Sequence, residues 1–225
     1  MSDWQEIDAV RGSDGRRRCG WCLSAPDYVA YHDQEWGRPV VDDARLYEKL
    51  CLEGFQSGLS WLTILRKREG FRQAFAGFEP ERVAGFGARD VERLVSDAAI
   101  VRHRGKIEAA IANARATLAV QERFGSLGAL VWSFEPPRHR RPAPTRLGEL
   151  PAVTPESTAL ARALRVHGFR FVGPTTAYAA MQSLGIVNDH LRGCHARTAC
   201  DRDRRAAAVP RAVLLRSQAS TSTRT

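Results

Sequence analysis

Apolar residues in this chain recur at the spacing of an α-helix, and no stretch sustains the alternation that a β-strand requires. In residues 42–60, for example, Leu46, Leu50 and Leu59 repeat at helical spacing. Residues 103–124 are rich in alanine, the strongest helix former. Similar patterns cover residues 61–75, 88–97, 157–169 and 174–185. The sequence therefore predicts an all-α fold, a compact helical domain with two interlocked lobes around a cleft, where ligands usually bind.

The positive charge of the chain is concentrated towards its two ends. The net charge is +9 over 225 residues, which favours a polyanionic partner such as nucleic acid or an anionic membrane surface. Much of the excess lies in residues 11–18 and 202–225, whose composition predicts disorder. We therefore expect residues 1–17 to be a disordered extension, residues 18–196 to form the helical domain, and residues 197–225 to be a basic, disordered tail.

The sequence contains no membrane signal. No apolar run approaches the roughly 18 residues of a membrane-spanning helix, and the start MSDWQEIDAV lacks the basic and apolar regions of a secretory signal. We expect a soluble, cytoplasmic protein without a membrane partner. Nothing in the sequence marks an interface between subunits, so a monomer is the simplest expectation.

Cysteine and histidine residues cluster near both ends of the chain. Five cysteines, an odd number in a chain expected in the cytosol, argue against a disulfide framework. His190 and Cys194 lie four residues apart, so one helical turn would place both on one face. Zinc prefers four such ligands, and Cys19, His32, His190 and Cys194 would supply them. Cys22 could replace Cys19, because C-x-x-C is itself a zinc or redox pattern; ordinary core positions are the alternative.

The stretch CLEGFQSGLSW, residues 51–61, places the carboxylate of Glu53 inside an apolar run. A charged group away from water is costly unless paired, and such groups often mark function. The same third of the chain is rich in aromatic residues, namely Trp21, Tyr28, Tyr31, Trp36 and Trp61. Aromatic faces bind planar bases by stacking. A pocket for a cationic planar ligand is therefore one hypothesis, and a plain aromatic core is the other.

Residues 94–114 have the pattern of a helix, a tight hairpin and a second helix. The start of the second helix could point backbone N–H groups at a phosphate. Positive charge is concentrated there by Arg102, His103, Arg104 and Lys106. A helical hairpin with a solvated basic face is the alternative.

These stretches together resemble the type I 3-methyladenine DNA glycosylases, which belong to the helix-hairpin-helix glycosylase superfamily. The matching motifs follow one another in order from Arg18 to Cys194. They are RCGW, YVAYHDQEWG, CLEGFQSGLSW, DAAIVRHRGKI, FRFVGPTTAYAAMQSLGIVNDH and HLRGC. The resemblance implies an all-α fold with a helix-hairpin-helix motif and a repair activity. The enzyme would flip 3-methyladenine out of alkylated double-stranded DNA and release it by hydrolysis, leaving an abasic site.

The resemblance also implies a role for each candidate residue. Glu53 is the catalytic carboxylate, which hydrogen-bonds the flipped base. Trp61 stacks on that base, and the pocket is lined by Tyr31, Tyr28 and Trp21. The DNA-anchoring hairpin, residues 94–106, contributes Ala99, Arg102, Arg104 and Lys106. A structural zinc ion is held by Cys19, His32, His190 and Cys194.

Several features stay open at this point. Ala99 stands where such hairpins usually have glycine, so a positive φ there would be strained. His195 and Cys200 could compete for the zinc. Asn113 and Glu108 follow the hairpin, where other superfamily members carry a catalytic aspartate, but neither has a firm claim to that role. A non-catalytic helix-hairpin-helix DNA-binding protein is the main alternative function, and a redox or zinc-regulatory protein is a weaker one.

Overall fold

The structure is a computed structural model, which describes residues 9–137 and 142–211. Helices dominate it and confirm the predicted all-α class. Their bounds are α1 Pro26–Gln34, α2 Asp43–Gln56, α3 Trp61–Ala74, α4 Pro80–Ala84, α5 Ala88–Ser96, α6 Arg104–Phe124, α7 Leu127–Trp132, α8 Pro155–Val166, α9 Pro174–Ser183 and α10 His195–Ala206. Short 3₁₀ turns cover Gly20–Ser24, Ala76–Phe78 and Leu147–Glu149. Among the described residues, no helix is long and apolar enough to cross a membrane.

Helix α2 begins where its sequence supplies a cap. Asp42 is the N-cap, and its side chain accepts a hydrogen bond from the backbone N–H of Arg45, which satisfies one of the free donors of the first turn. The helix ends at Gln56, and Gly58 then takes a positive φ of 83° with open space around it. This turn starts α3 at Trp61, capped by Ser60. Glu53 and Trp61 are therefore brought together across a tight turn.

The long helix α6 packs against α2, α4, α5 and α7. Both of its isoleucines and three of its alanines, Ala110, Ala114 and Ala116, are buried in one large apolar cluster that also includes residues of α1, α2, α3 and α9. Asn113, on α6, bonds both backbone groups of Arg170 through its side-chain amide. This pair of hydrogen bonds holds the segment between α8 and α9 against the core, so Asn113 has a structural role.

The first strand pair corrects the predicted N-terminal boundary. Ala9–Arg11 (β1) pairs antiparallel with Arg17–Cys19 (β2), so residues 9–17 are ordered and the prediction of a disordered extension is wrong for them. Arg18 is 4% exposed and makes ion pairs with Asp14 and Asp33. Arg18, at the end of the segment whose composition predicts disorder, therefore connects two parts of the fold. Residues 1–8 of the predicted extension lie outside the described residues.

The C-terminal boundary is corrected in the same way. Helix α10 continues to Ala206, so the expectation of a disordered tail from residue 197 fails for the described part of that tail. Arg204 is 7% exposed and pairs with Glu135, while Asp203 pairs with Arg38. The charges that suggested disorder are thus used to dock the helix. Residues 212–225 of the tail lie outside the described residues.

We expect Gly70→Ala to lower the free energy of unfolding by about 1–3 kcal/mol, the usual cost of overpacking. A Cβ at position 70 on α3 would lie 2.8 Å from the carbonyl oxygen of Ala99, in the turn between α5 and α6. Chemical denaturation would measure the change. Gly85→Ala is the control, because its nearest neighbour would be the carbonyl oxygen of Arg82 at 3.5 Å. Equal stability of the two variants would contradict the prediction.

Candidate active site

Glu53 lies on α2 and is 5% exposed. The hydroxyl of Ser183, from α9, donates a hydrogen bond to its Oε1 at 3.2 Å. Burial raises the pKa of Glu53 above its ordinary value, and the positive charge of Lys49 and the Ser183 hydroxyl oppose that rise. The carboxylate therefore has only partial compensation for its burial, which suits a group that meets a cationic or hydrogen-bonding ligand.

Glu53 faces a cavity of about 240 Å³. The cavity is lined by Trp21, Tyr28, Tyr31, Trp36, Glu53, Gln56, Trp61, Leu147, Leu150, Ala179 and Gln182. Tyr31 and Trp61 have ring centroids 5.5 Å apart, and Trp21 and Tyr28 have centroids 4.8 Å apart. All five residues expected at the base pocket thus line one cavity, to which we refer as the aromatic cavity. Their role in binding a base stays a prediction.

Trp61 carries a hydrogen-bond donor without a partner. Its indole Nε1 is buried, and it makes no hydrogen bond within residues 9–137 and 142–211. An unpaired buried donor is unfavourable in an empty site and becomes favourable when a ligand supplies an acceptor.

Helix α1 explains why several of these side chains meet. It begins with Pro26 at its first position, a residue that is preorganised for a helix start. Tyr28, Tyr31 and His32 follow at spacings of three and four residues, so they share one side of a short helix. The two tyrosines line the aromatic cavity, and His32 points into the cysteine–histidine cluster.

Sequence reasoning missed four polar residues at the site. Gln56 and Gln182 line the aromatic cavity, and Ser183 contacts Glu53 directly. Lys49 lies one turn before Glu53 and donates a hydrogen bond to the Tyr31 hydroxyl at 2.6 Å. The helical spacing to Glu53 would have found Gln56 and Lys49. Gln182 and Ser183 reach the site from α9, and no local pattern indicates that.

Cys19, His32, His190 and Cys194 form a fully buried cluster, with all four ligand atoms within 4.8 Å of one another. His190 Nδ1 lies 3.2 Å from His32 Nε2 and 3.7 Å from Cys19 Sγ. Cys194 Sγ lies 3.5 Å from each of the same two histidine nitrogens. Zinc–sulfur and zinc–nitrogen bonds of usual length predict tetrahedron edges of about 3.3–3.8 Å. The donor atoms and their spacing therefore fit a metal ion.

The outer contacts of the histidines also fit a metal site. His32 Nδ1 lies 2.8 Å from an oxygen of Asp33, and His190 Nε2 lies 3.0 Å from the carbonyl oxygen of Trp36. Such partners fix the tautomer and leave the other ring nitrogen free for a metal. Of the residues that sequence reasoning offered as substitutes, Cys22 and Cys200 are outside the four-residue cluster, and His195 contacts Asp33 instead.

The turn between α5 and α6 is the predicted DNA-anchoring hairpin. Ala99 is exposed and does not adopt a positive φ, so the strain considered for an alanine there is not present. Its backbone N–H donates to the Asp97 side chain at 2.8 Å. Arg102 is exposed, and Arg104 pairs with Glu92 at 2.8 Å on the surface.

Lys106 is not on this surface. It is 8% exposed, and its ammonium donates to the carbonyl oxygens of Phe55 and Ser57 at 3.0 and 2.6 Å. The prediction that Lys106 contacts DNA is therefore corrected. A cation at the C-terminus of a helix satisfies free carbonyl groups and complements the helix dipole, so Lys106 stabilises the end of α2.

The fold and the site together define an all-α protein with an aromatic cavity that contains the carboxylate of Glu53. A family model described as methyladenine glycosylase matches residues 21–198. The chain belongs to that family.

Individual relatives agree with this assignment. The chain is 50% identical over 177 residues to the DNA-3-methyladenine glycosylase 1 of Escherichia coli K12, a match that covers 79% of this chain and 95% of the relative. A crystal structure of 3-methyladenine DNA glycosylase I is similar with a TM-score of 0.74 and 48% identity, covering 79% and 98% of the two chains. A Staphylococcus aureus 3-methyladenine DNA glycosylase I, solved to explain 3-methyladenine recognition, has a TM-score of 0.74 and 35% identity, covering 80% and 96%.

Proposed function

We propose that this chain is a monofunctional DNA glycosylase that releases 3-methyladenine from alkylated double-stranded DNA by hydrolysis. The observation that carries the proposal is a buried carboxylate, Glu53, in a cavity with aromatic walls. The names of the relatives support the same substrate. The reaction leaves an abasic site in the DNA.

The chemistry of the lesion explains the make-up of the cavity. Methylation at N3 gives the base a positive charge, so the base leaves as a neutral molecule when the glycosidic bond breaks. The enzyme's main tasks are then to extrude the nucleotide and to capture the base selectively. Electron-rich aromatic faces favour a cationic ring over a neutral one by about 1–2 kcal/mol when water is excluded. Unmethylated adenine is neutral, so it stacks on these faces but lacks both the attraction to the charge of Glu53 and the additional cation–π contribution.

Each wall of the cavity has a part in this proposal. Glu53 accepts a hydrogen bond from the exocyclic amine of the base and offsets its charge. Trp61 stacks on the ring, and Tyr31, Tyr28 and Trp21 complete the enclosure. Among the described residues that line the cavity, Glu53 is the single carboxylate. Asn113 is occupied with the backbone of Arg170, and no catalytic role is assigned to it.

The metal cluster is proposed to hold a structural zinc ion. Two cysteines and two histidines match the ligands that zinc prefers, and four protein ligands leave no position open for water. The ion would tie β2 and α1 to the segment before α10. It would stabilise this arrangement and take no part in base release.

The proposal extends to the DNA contact, the oligomeric state and the cellular location. The hairpin between α5 and α6 would contact the DNA backbone through the exposed Arg102 and Arg104 and the turn at Ala99. The monomer expected from the sequence is part of the same proposal. A DNA substrate agrees with the cytoplasmic location expected from the sequence.

Arg102→Ala is expected to weaken binding to duplex DNA without altering the rate of base release once DNA is saturating. Loss of one phosphate contact should reduce the slope of the salt dependence of binding by about 1. Fluorescence anisotropy at several salt concentrations would measure this. Arg205→Ala, which removes an exposed arginine from α10, is the matched control. An unchanged slope for Arg102→Ala would remove this residue from the DNA interface.

The proposed activity is tested by incubating the protein with methylated duplex DNA and separating the released bases by chromatography. Release of 3-methyladenine with formation of abasic sites is the expected result. A folded, metal-loaded protein that binds the duplex and releases no base would instead be the non-catalytic DNA-binding protein considered above.

A further inference from the structure

Lys49 lies behind the wall of the aromatic cavity, four residues before Glu53 on α2, where it contacts the cavity residues Tyr31 and Trp61. Its ammonium donates to the Tyr31 hydroxyl oxygen at 2.6 Å. The same nitrogen lies 4.2 Å from the ring centroid of Trp61 and 4.6 Å from that of Tyr31. A positive charge therefore lies against two of the rings that were assigned to the cationic base, and it interacts electrostatically with Glu53.

A second cavity, of about 160 Å³, adjoins Lys49 and offers it two other carboxylates, Glu35 and Glu48. Both already have stronger partners: Glu35 pairs with Arg68, and Glu48 pairs with Arg72. The Lys49 ammonium therefore donates its hydrogen bond to Tyr31 and not to Glu35 or Glu48. Burial lowers the pKa of Lys49 to about 8, against the opposing pull of Glu53, Glu35 and Glu48, while Arg68 reinforces the lowering. At neutral pH the ammonium form predominates.

The direction of the hydrogen bond has a chemical consequence for Tyr31. An ammonium only donates, so the phenol oxygen must accept. The hydroxyl hydrogen of Tyr31 then has to point elsewhere, and within the described residues it makes no other hydrogen bond. Tyr31 is 3% exposed and lines the aromatic cavity. The contact with Lys49 therefore frees the Tyr31 hydroxyl to donate into that cavity.

We propose that Lys49 is a positioning residue, which fixes Tyr31 as a hydrogen-bond donor to a ring nitrogen of the bound base. This inference rests on the proposed function. When the glycosidic bond breaks, its electron pair passes to the base, which becomes neutral; water adds its hydroxyl to the sugar carbon and its other proton goes to solvent. A hydrogen bond donated to the ring becomes stronger as that electron density arrives. The donor therefore stabilises the transition state more than the bound cation.

A double-mutant cycle tests whether Lys49 acts through Tyr31. We expect Lys49→Met to slow single-turnover release of 3-methyladenine about tenfold, the size of one hydrogen bond. In a Tyr31→Phe background the same change should have little further effect, and in a Tyr28→Phe background it should keep its full effect. Lys49→Arg, which retains a cationic donor, should recover much of the rate. Equal effects of Lys49→Met in both tyrosine backgrounds would overturn the proposal.

The pH profile of the rate gives a second readout, one that a purely structural lysine would not change. The positive charge of Lys49 lowers the pKa of Glu53, and so does the hydrogen bond from Ser183. The charge of Glu53 in turn raises the pKa values of Tyr28 and Tyr31. Lys49→Met should move the acid limb of the profile to higher pH. If this variant fails to fold, Lys49→Gln takes its place. An unmoved limb in a folded variant would contradict the proposal.

Different results would contradict the proposed glycosylase activity and the proposed role of Lys49. If the parent protein releases no base, the proposed function is wrong. If the parent is active and Glu53→Gln is not, but the Lys49 and Tyr31 effects are additive, only the role of Lys49 is wrong.

Discussion

Glu53→Gln is expected to leave the protein folded and to slow single-turnover release of 3-methyladenine by about 100-fold, the effect of losing a charged hydrogen-bond partner. Glutamine keeps the shape of the side chain and removes its charge. Ser183 can still donate to the amide oxygen, as it donates to Oε1 of Glu53. The amide nitrogen, however, is itself a donor and cannot accept from the amine of the base.

The pH dependence of the rate should also differ between the parent protein and Glu53→Gln. Because burial raises the pKa of Glu53 above its ordinary value of 4.5, the carboxylate is protonated at a higher pH than an exposed glutamate. The parent rate should therefore fall as the pH is lowered through that raised pKa. Glu53→Gln should lack this acid limb. A folded-state pKa that is raised also means that ionised Glu53 destabilises the fold at neutral pH, so the variant should unfold at an equal or higher temperature.

Glu48→Gln is the matched control for Glu53→Gln. Glu48 is the other buried carboxylate of α2, 8% exposed, and it pairs with Arg72 away from the aromatic cavity. Its replacement should lower stability and leave most of the activity. If the two variants lose release equally, or if Glu53→Gln is as active as the parent, Glu53 does not bind the base.

Cys19→Ser is expected to lose bound zinc and to lower the free energy of unfolding by at least about 4 kcal/mol, as the loss of a structural metal site does. Cys19 contributes one of four buried ligand atoms. The cluster joins β2, α1 and the segment before α10, which lie far apart in the sequence. Elemental analysis of the purified protein and denaturant titration would measure the two effects. A metal chelator should destabilise the parent in the same direction.

Cys22→Ser provides the comparison for Cys19→Ser. Cys22 is buried close by in sequence and lies outside the four-residue cluster. The Cys22→Ser variant should retain both the metal and the release of the base. That result would also argue against a redox function of the C-x-x-C pattern. Native protein that carries no zinc, or a Cys19→Ser variant as stable as Cys22→Ser, would show that the cluster is not a zinc site.

The sequence predicts best what depends on neighbours along the chain. Caps and helical spacing placed α2 and α3 within a few residues, as the ends at Gln56 and Trp61 show. The cysteine and histidine set was offered from ligand chemistry, and the resemblance to a family removed the choice between Cys19 and Cys22. The resemblance also supplied the aromatic walls.

What the sequence could not give depends on how charged side chains pair across the fold. Arg18 ends a segment whose composition predicts disorder, yet it is buried between Asp14 and Asp33. Lys106 was assigned to the surface, yet it turns towards the end of α2. The contact between Lys49 and Tyr31 requires the packing of α2 against α1. In each case the charge is visible in the sequence and its partner is not.

The nine-residue helix α1 contributes to two sites, because Tyr28 and Tyr31 line the aromatic cavity and His32 belongs to the cysteine–histidine cluster. A substitution that shifts α1 to alter one of these sites should therefore alter the other. We therefore expect a substitution that disturbs the cysteine–histidine cluster to move the two tyrosines of the aromatic cavity as well, even without contacting them. The proposed metal ion would in this way contribute to the shape of the cavity through the position of α1.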